Sequence, residues 1–333
     1  MNSELQSKLY TYNTWQVERI FDISLHNAGR KKEDIFCLSV GSMDGHFHDT
    51  ISGYISLYSW PGLFIEPLPD AFSELTRYYK EVLKNDKAIL ENVAVSNEER
   101  TETMVYIPWQ KIDDLELDEP LKGMACFIPP VNGFGSDKES KRLLEEHGEL
   151  CEVSVVVLDD LLAKHNIEKI DYVQIDTEGH DFWVFEGFDF EKYRPKVIKF
   201  ELFNSEDGNL LKLFERFEAA GYTLTNQEGC DIMAFENEHL EYIKSNRRWS
   251  EVEALGKCIE NTGYRVDEDG NYVDVPEDVE KGDDDYEESE ESEELKPITE
   301  QEPSDPTYEK HSNEGPSKTT IVTGIWDLKR ETL

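Results

Sequence analysis

Ile35-Phe36-Cys37-Leu38-Ser39-Val40-Gly41-Ser42-Met43-Asp44-Gly45, followed by Gly62-Leu63-Phe64-Ile65-Glu66-Pro67, is the stretch on which the fold turns. An apolar strand runs into a glycine turn, and a second apolar strand ends in an acid. In α/β proteins this arrangement holds an adenosine: the turn lets backbone approach the ligand, and the acid accepts both ribose hydroxyls. Glu66 lies 21 residues past Gly45, close to the roughly 20-residue spacing expected between such a loop and its ribose acid. The loop reads G-x-x-x-G and lacks the G-x-G-x-x-G that seats a pyrophosphate on a helix N-terminus. An adenosine ligand without a pyrophosphate points to S-adenosylmethionine. The same missing motif disfavours a nicotinamide-dependent oxidoreductase.

Outward from this stretch, strands and helices alternate. A helix is expected over Trp15 to Asn27, ending at Gly29. Strands follow at Ile35 to Val40, Leu63 to Glu66 and Ala88 to Val95. Pro69-Asp70 opens a helix through Lys84, with Phe72, Leu75, Tyr79 and Val82 near a 3.6-residue spacing. Met104-Val105-Tyr106-Ile107 and Ala125-Cys126-Phe127-Ile128 look like short strands, and Asn132 to Ser136 is a glycine-punctuated loop that suits either a lid or a plain surface turn. Val153 to Leu158 reads as a buried strand of a parallel sheet. Tyr172 to Ile175 and Lys196 to Leu202 are strands, Gly208 to Ala220 is a helix, and Tyr222 to Thr225 pairs with Asp231 to Phe235 as a terminal hairpin. The expected fold is a Rossmann-like α/β domain with a mostly parallel seven-stranded sheet, helices on both faces and a C-terminal antiparallel hairpin. Ligands then belong at the carboxyl ends of the strands, where Gly41, Glu66 and Asp176 all fall.

Composition bounds the remainder. The formal net charge is −39 over 333 residues. Residues 265 to 333 account for −16 of it, with twelve acids and one lysine between 277 and 294. Such a charge argues against nucleic-acid partners and anionic membrane surfaces, which both need clustered Lys and Arg. Four segments result: an N-terminal helical segment 1–34, a domain 35–264, a disordered acidic linker 265–318, and a short stretch 319–333. The five cysteines form no C-x-x-C pair, and His46 and His48 with Asp49 lack a matching cluster, so neither disulfides nor a metal site is expected. No secretory signal and no apolar run long enough to span a bilayer is visible, which places the chain in the cytoplasm.

Six motifs in order carry a family resemblance. Val40-Gly41-Ser42-Met43-Asp44-Gly45, Trp60 to Pro67 and Asn92-Val93-Ala94-Val95-Ser96 are the first three. Val157-Leu158-Asp159-Asp160-Leu161, Val173 to Asp181 and Val197-Ile198-Lys199-Phe200-Glu201 complete the set. Over residues 35 to 236 the chain resembles the FkbM family of S-adenosylmethionine-dependent methyltransferases. It has Gln174 where that family usually has lysine, and His180 where it usually has Glu or Ala. The resemblance implies an O-methyltransferase acting on a hydroxyl of a sugar, a glycan, a nucleotide sugar or a related small molecule. The alternative is a non-catalytic methyltransferase-like binding or scaffold module in a glycan-assembly protein.

Cofactor contacts are expected from Gly41, Asp44, Gly45, Glu66, Pro67, Asn92, Ala94 and Asp176. Asp44 serves equally as a methionine-amine ligand or a helix cap. Asp176-Thr177-Glu178-Gly179-His180-Asp181 is the densest polar group at a strand end. Asp176, then Glu178 and His180, are the candidates to take the acceptor's proton. Tyr54, Phe134, Trp183 and Phe203 suit either stacking on a sugar ring or the core. Ile321 to Arg330 resembles the first strand and loop of a nucleotide-sugar glycosyltransferase-like domain, which the acidic linker would tether; the alternative is an unpaired tail.

Overall fold

The computed structural model describes residues 3–9, 12, 14–27, 35–46, 51–127, 138–201, 207–227, 231–245, 249–250, 252–254, 264–266 and 272–274. The first three strands are β1 (Cys37–Val40), β2 (Gly62–Ile65) and β3 (Ala88–Glu91). After them come β4 (Ala94–Ser96), β5 (Arg100–Tyr106), β6 (Ala125–Phe127) and β7 (Glu149–Val157). The last of the main unit are β8 (Tyr172–Ile175), β9 (Val197–Glu201), β10 (Tyr222–Gln227) and β11 (Asp231–Glu236).

Seven of these build the main sheet in the order β10-β11-β9-β8-β1-β2-β3. The strands from β9 to β3 pair in parallel, while β11 runs antiparallel to both β9 and β10. Every residue of β1, β2 and β8 is buried, as expected of strands covered on both faces. The pleat sends Leu38, Val40, Leu63, Ile65, Val173 and Ile175 into one core. Cys37, Phe64, Tyr172, Val197 and Phe235 enter the other, with Val17, Ile20 and Phe21 of an N-terminal helix (Thr14–Asn27) packed on them. The seven-stranded sheet with its antiparallel hairpin is the architecture read from the sequence.

Three local expectations are corrected. Ala88 to Val95 is not one strand. It breaks after Glu91, where the Asn92 side chain donates to the carbonyls of Glu66 (2.8 Å) and Pro67 (3.1 Å), and β4 leaves for a second sheet. Val153 to Val157 also leaves the main sheet: β7 is one of the two inner strands of a four-stranded sheet ordered β4-β7-β5-β6. Its Val153 and Val155 are buried while Ser154 is exposed, the alternation of a strand covered on one face. Finally, the helix from Pro69 ends at Arg77 and continues through a π-helical turn over Tyr78–Val82. That wider turn rotates Val82 outward to 53% exposure while Leu75 and Tyr79 stay buried.

Residues 259–318 form a separate unit. Within it a short antiparallel pair, Tyr264–Val266 with Tyr272–Asp274, falls at the start of the stretch read as acidic linker. The rest of 265–318 and all of 319–333 lie outside the described residues. Among the described residues no helix is long and apolar enough to cross a membrane.

Candidate active site

At the carboxyl edge of the parallel strands the β1 loop folds directly against the end of β8. The backbone N–H of Asp176 donates to Val40 O at 2.9 Å, and those of Gly41 and Ser42 both donate to Ile65 O at 3.0 Å. Gly41 has φ +79, and a Cβ there would lie 1.7 Å from the Asp176 carbonyl oxygen, so only glycine fits. Gly45, at φ +83, is held as tightly: a Cβ would meet the Tyr79 ring at 2.7 Å. The π-turn delivers that ring.

A cavity of about 250 Å³ opens between this edge and the second sheet. Of the residues expected at the site, Gly41, Glu66, Pro67, Ala94, Asp176, Glu178 and His180 line it. Asp44, Gly45 and Asn92 are not among the lining residues. Asp44 Oδ1 accepts from the His46 backbone N–H at 3.0 Å, and Asn92 fastens the loop after β2. Tyr54 and Trp183 belong to the cores: Tyr54 stacks on Trp60 at 5.5 Å and donates to Asp22, and Trp183 packs edge-on to Phe182. Phe134, Phe203, His48, Asp49 and the loop 132–136 lie outside the described residues.

Glu66 is buried, and each carboxylate oxygen receives one backbone N–H, Oε1 from Leu68 (2.8 Å) and Oε2 from Met43 (2.9 Å). A carboxylate offers about four lone-pair sites, so both oxygens keep a free acceptor direction. Burial pushes the Glu66 pKa up to about 7; the two amides oppose that rise and the nearby Asp176 adds to it.

Asp176 is open to the cavity it lines. Lost hydration raises its pKa, Lys199 pulls it down and Asp231 pushes it up. Glu178 sits in the left-handed region at φ +54, a strained conformation for a residue with a side chain. Burial, then the charges of Asp176 and Asp181, push it up to about 8. Asp181 accepts from the Thr177 hydroxyl (2.6 Å) and the Glu201 backbone N–H (2.9 Å), tying the β8 loop to β9. Burial raises its pKa to about 7. Glu201 is pushed up to about 10, by burial first and by Glu178 next, and its buried Oε2 has no hydrogen-bond partner among the described residues. His180 lies with its Nε2 3.0 Å from Ser96 Oγ and its ring edge-on to Phe127. Burial and the Arg100 charge hold its pKa at about 4, so it is neutral near pH 7 and a weaker base than Glu66 or Glu178.

The sequence did not reveal the opposite wall. Met104, Ala125, Cys126 and Phe127 come from β5 and β6 of the second sheet, and Met43 from the β1 loop. Asp181 and Glu201 were in the motifs without a role. Among the described residues no group of His, Cys, Asp and Glu has the arrangement of a metal site.

The sheet order and this carboxyl-edge cavity define a class I methyltransferase fold. Among solved structures, the chain is similar to a methyltransferase FkbM from Methylobacillus flagellatus KT, at 9% identity and TM-score 0.39, covering 70% of this chain and 57% of that one. It is also similar to the N-terminal domain of human METTL16 in complex with SAH (11% identity, TM-score 0.35, covering 66% and 68%). A third is the SAM-dependent methyltransferase from Agrobacterium tumefaciens (7%, TM-score 0.29, covering 67% and 62%). The chain thus spans a little over half the length of the first of these. No curated protein matches it. The Methyltransferase FkbM domain family matches residues 39–224, more than half of the chain. The chain belongs to this family of methyltransferases.

Proposed function

We propose that the chain is an S-adenosylmethionine-dependent O-methyltransferase working in the cytoplasm on a hydroxyl of a sugar, a glycan or a related small molecule. One observation carries the reading. Gly41, Glu66, Ala94, Asp176, Glu178 and His180, scattered over 140 positions of sequence, all line a single cavity at the carboxyl edge of the sheet. The residues present suit the cofactor: Gly41 lets the β1 loop close on the end of β8 beside the cavity, and Glu66 keeps acceptor directions for a diol.

When bound, S-adenosylmethionine supplies an electrophilic methyl group for direct displacement by an oxygen. Glu66 would hold the ribose, and Pro67, Leu68 and Ala94 would form the apolar surround of the base. Asp176 would accept the proton of the acceptor hydroxyl on a carboxylate oxygen, its raised pKa making it a stronger base than a solvated aspartate. Glu178, raised to about 8, would take that role only in more alkaline solution, where it is charged. Apolar side chains of the second sheet would exclude water from the transfer. A glycosyltransferase-like domain beginning near 319 belongs to the proposal on the strength of residues 321–330 alone.

Two measurements test this. Calorimetric titration should show S-adenosylmethionine binding that Glu66→Ala weakens by about 1–3 kcal/mol through lost hydrogen bonds; unchanged affinity removes Glu66 from the site. Incubation with labelled donor and a panel of sugars should place one methyl on a hydroxyl. Binding without any transfer would leave a binding module in place of an enzyme.

A further inference from the structure

The charged side chains lining the cavity are Glu66, Asp176 and Glu178; among the described residues no lysine or arginine lines it. The nearby cations are engaged elsewhere. Lys199 pairs with Asp231 at 2.9 Å, and Arg100 bonds Glu102 at 3.3 Å while lying over the Phe127 ring. Two stretches that adjoin cavity elements in sequence, 128–137 after β6 and 202–206 after β9, contain no lysine or arginine. A phosphate entering here would meet carboxylates whose one nearby countercharge, Lys199 beside Asp176, is shared with Asp231. In a partly desolvated cavity such like-charge contacts are costly. The chain's overall charge of −39 adds a long-range field of the same sign.

We propose that this cavity selects its ligands by charge, taking a cationic donor and an uncharged or cationic hydroxyl acceptor while rejecting phosphate-bearing acceptors such as nucleotide sugars. The proposal rests on the methyltransferase reading of the same cavity and narrows it. Glu66 and Glu178, raised to about 7 and about 8, are both charged only above about pH 8, so the discrimination by charge is fullest there. A glycan acceptor would therefore be methylated in its free or glycosidic form and not while attached to a nucleotide. The same carboxylates favour the sulfonium donor over the thioether product, which has lost that positive charge.

The test is a charge ladder read by binding. Above about pH 8, where Glu66 and Glu178 are charged, adenosine, its 5′-amino-5′-deoxy analogue (a cation) and adenosine 5′-monophosphate (an anion) are titrated into the full chain beside S-adenosylmethionine and S-adenosylhomocysteine. Affinity should fall from amine to adenosine to monophosphate, with at least about a ten-fold span between the ends at low salt. That span should narrow on adding salt to the wild type and in Glu178→Gln. S-adenosylmethionine should bind tighter than S-adenosylhomocysteine, and this pair decides the matter if the adenosine compounds bind too weakly to read. If S-adenosylmethionine binds but the monophosphate equals the amine, or the two cofactor forms bind equally, the charge claim fails and the methyltransferase reading stands. If none of the five binds, the methyltransferase reading fails and takes this inference with it. Methyl transfer to a nucleotide sugar as efficient as to its unphosphorylated counterpart also overturns the claim.

Discussion

The two ends of the main sheet treat their acids in opposite ways. At the amino edge, Glu236 is 2% exposed and fully paired: Arg194 reaches Oε1 at 2.8 Å, Lys196 reaches Oε2 at 3.3 Å, and the His239 backbone N–H donates to Oε2 at 2.9 Å. Burial alone would raise its pKa; the hydrogen bond from Arg194 and the other donors outweigh it and lower the pKa. At the carboxyl edge, Glu66, Asp176, Glu178, Asp181 and Glu201 share one neighbourhood, and each has its pKa raised. An acid that only ties strands together is given cations. Acids whose pKa values stay raised are costly to keep charged, and such groups cluster at functional sites.

Mutations at the two edges should therefore separate function from stability. The largest effect is expected from Asp176→Asn, which should lower turnover by about 10²–10⁴-fold, well beyond its effect on cofactor affinity, because a positioned base is worth that much. Wild-type turnover in this variant would strip Asp176 of its role. Glu236→Ala should do the reverse. It should lower unfolding free energy by about 2–3 kcal/mol, below the 3–5 kcal/mol of a fully buried pair because its cations are partly exposed, and leave cofactor binding intact. Chemical denaturation reads the first effect; a variant as stable as wild type would erase the contrast between the edges.

A smaller effect appears in the pH dependence of stability. Glu66, Glu178 and Asp181 have folded pKa values of about 7, 8 and 7, above their unfolded values near 4. The native state then holds more protons than the unfolded one between about pH 4.5 and 8, so stability falls as pH rises through that window. The lowered pKa of Glu236 works the other way, its contribution being lost as pH falls below about 4.5. The melting temperature should peak near about pH 5 and decline toward pH 8, with Glu178→Gln recovering about 2–4 °C at the alkaline end, the shift that about 1 kcal/mol gives a domain of this size. A melting temperature that climbs steadily from acid to alkaline pH would contradict the uncompensated cluster.

The sequence disclosed the main sheet and the floor of the cavity, and it hid the roof. β1, β2 and β8 are short, mostly apolar and followed at once by Gly41, Glu66 and Asp176, so strand ends and chemistry coincide in one dimension as they do in three. Val153-Ser154-Val155-Val156-Val157 misled because valine occupies both faces of β7, masking an alternation of burial that polar outer residues would have shown. With β7 misplaced, the second sheet and the cavity wall carried by Met104 and Phe127 could not be assembled. The break after Glu91 was equally silent, since it depends on the Asn92 side chain reaching two carbonyls some 25 residues back. Glu201 was visible as a strand-end acid, but its partnership with Asp181 and Glu178 exists only once β8 and β9 lie side by side.

The most direct test is a calorimetric titration of S-adenosylmethionine into three proteins: wild type, Glu66→Ala and Glu236→Ala. Binding to the wild type, weakening in Glu66→Ala and wild-type affinity in folded Glu236→Ala is the predicted pattern. No heat of binding to the wild type, or equal loss in both variants, would contradict the assignment of the carboxyl-edge cavity to the cofactor.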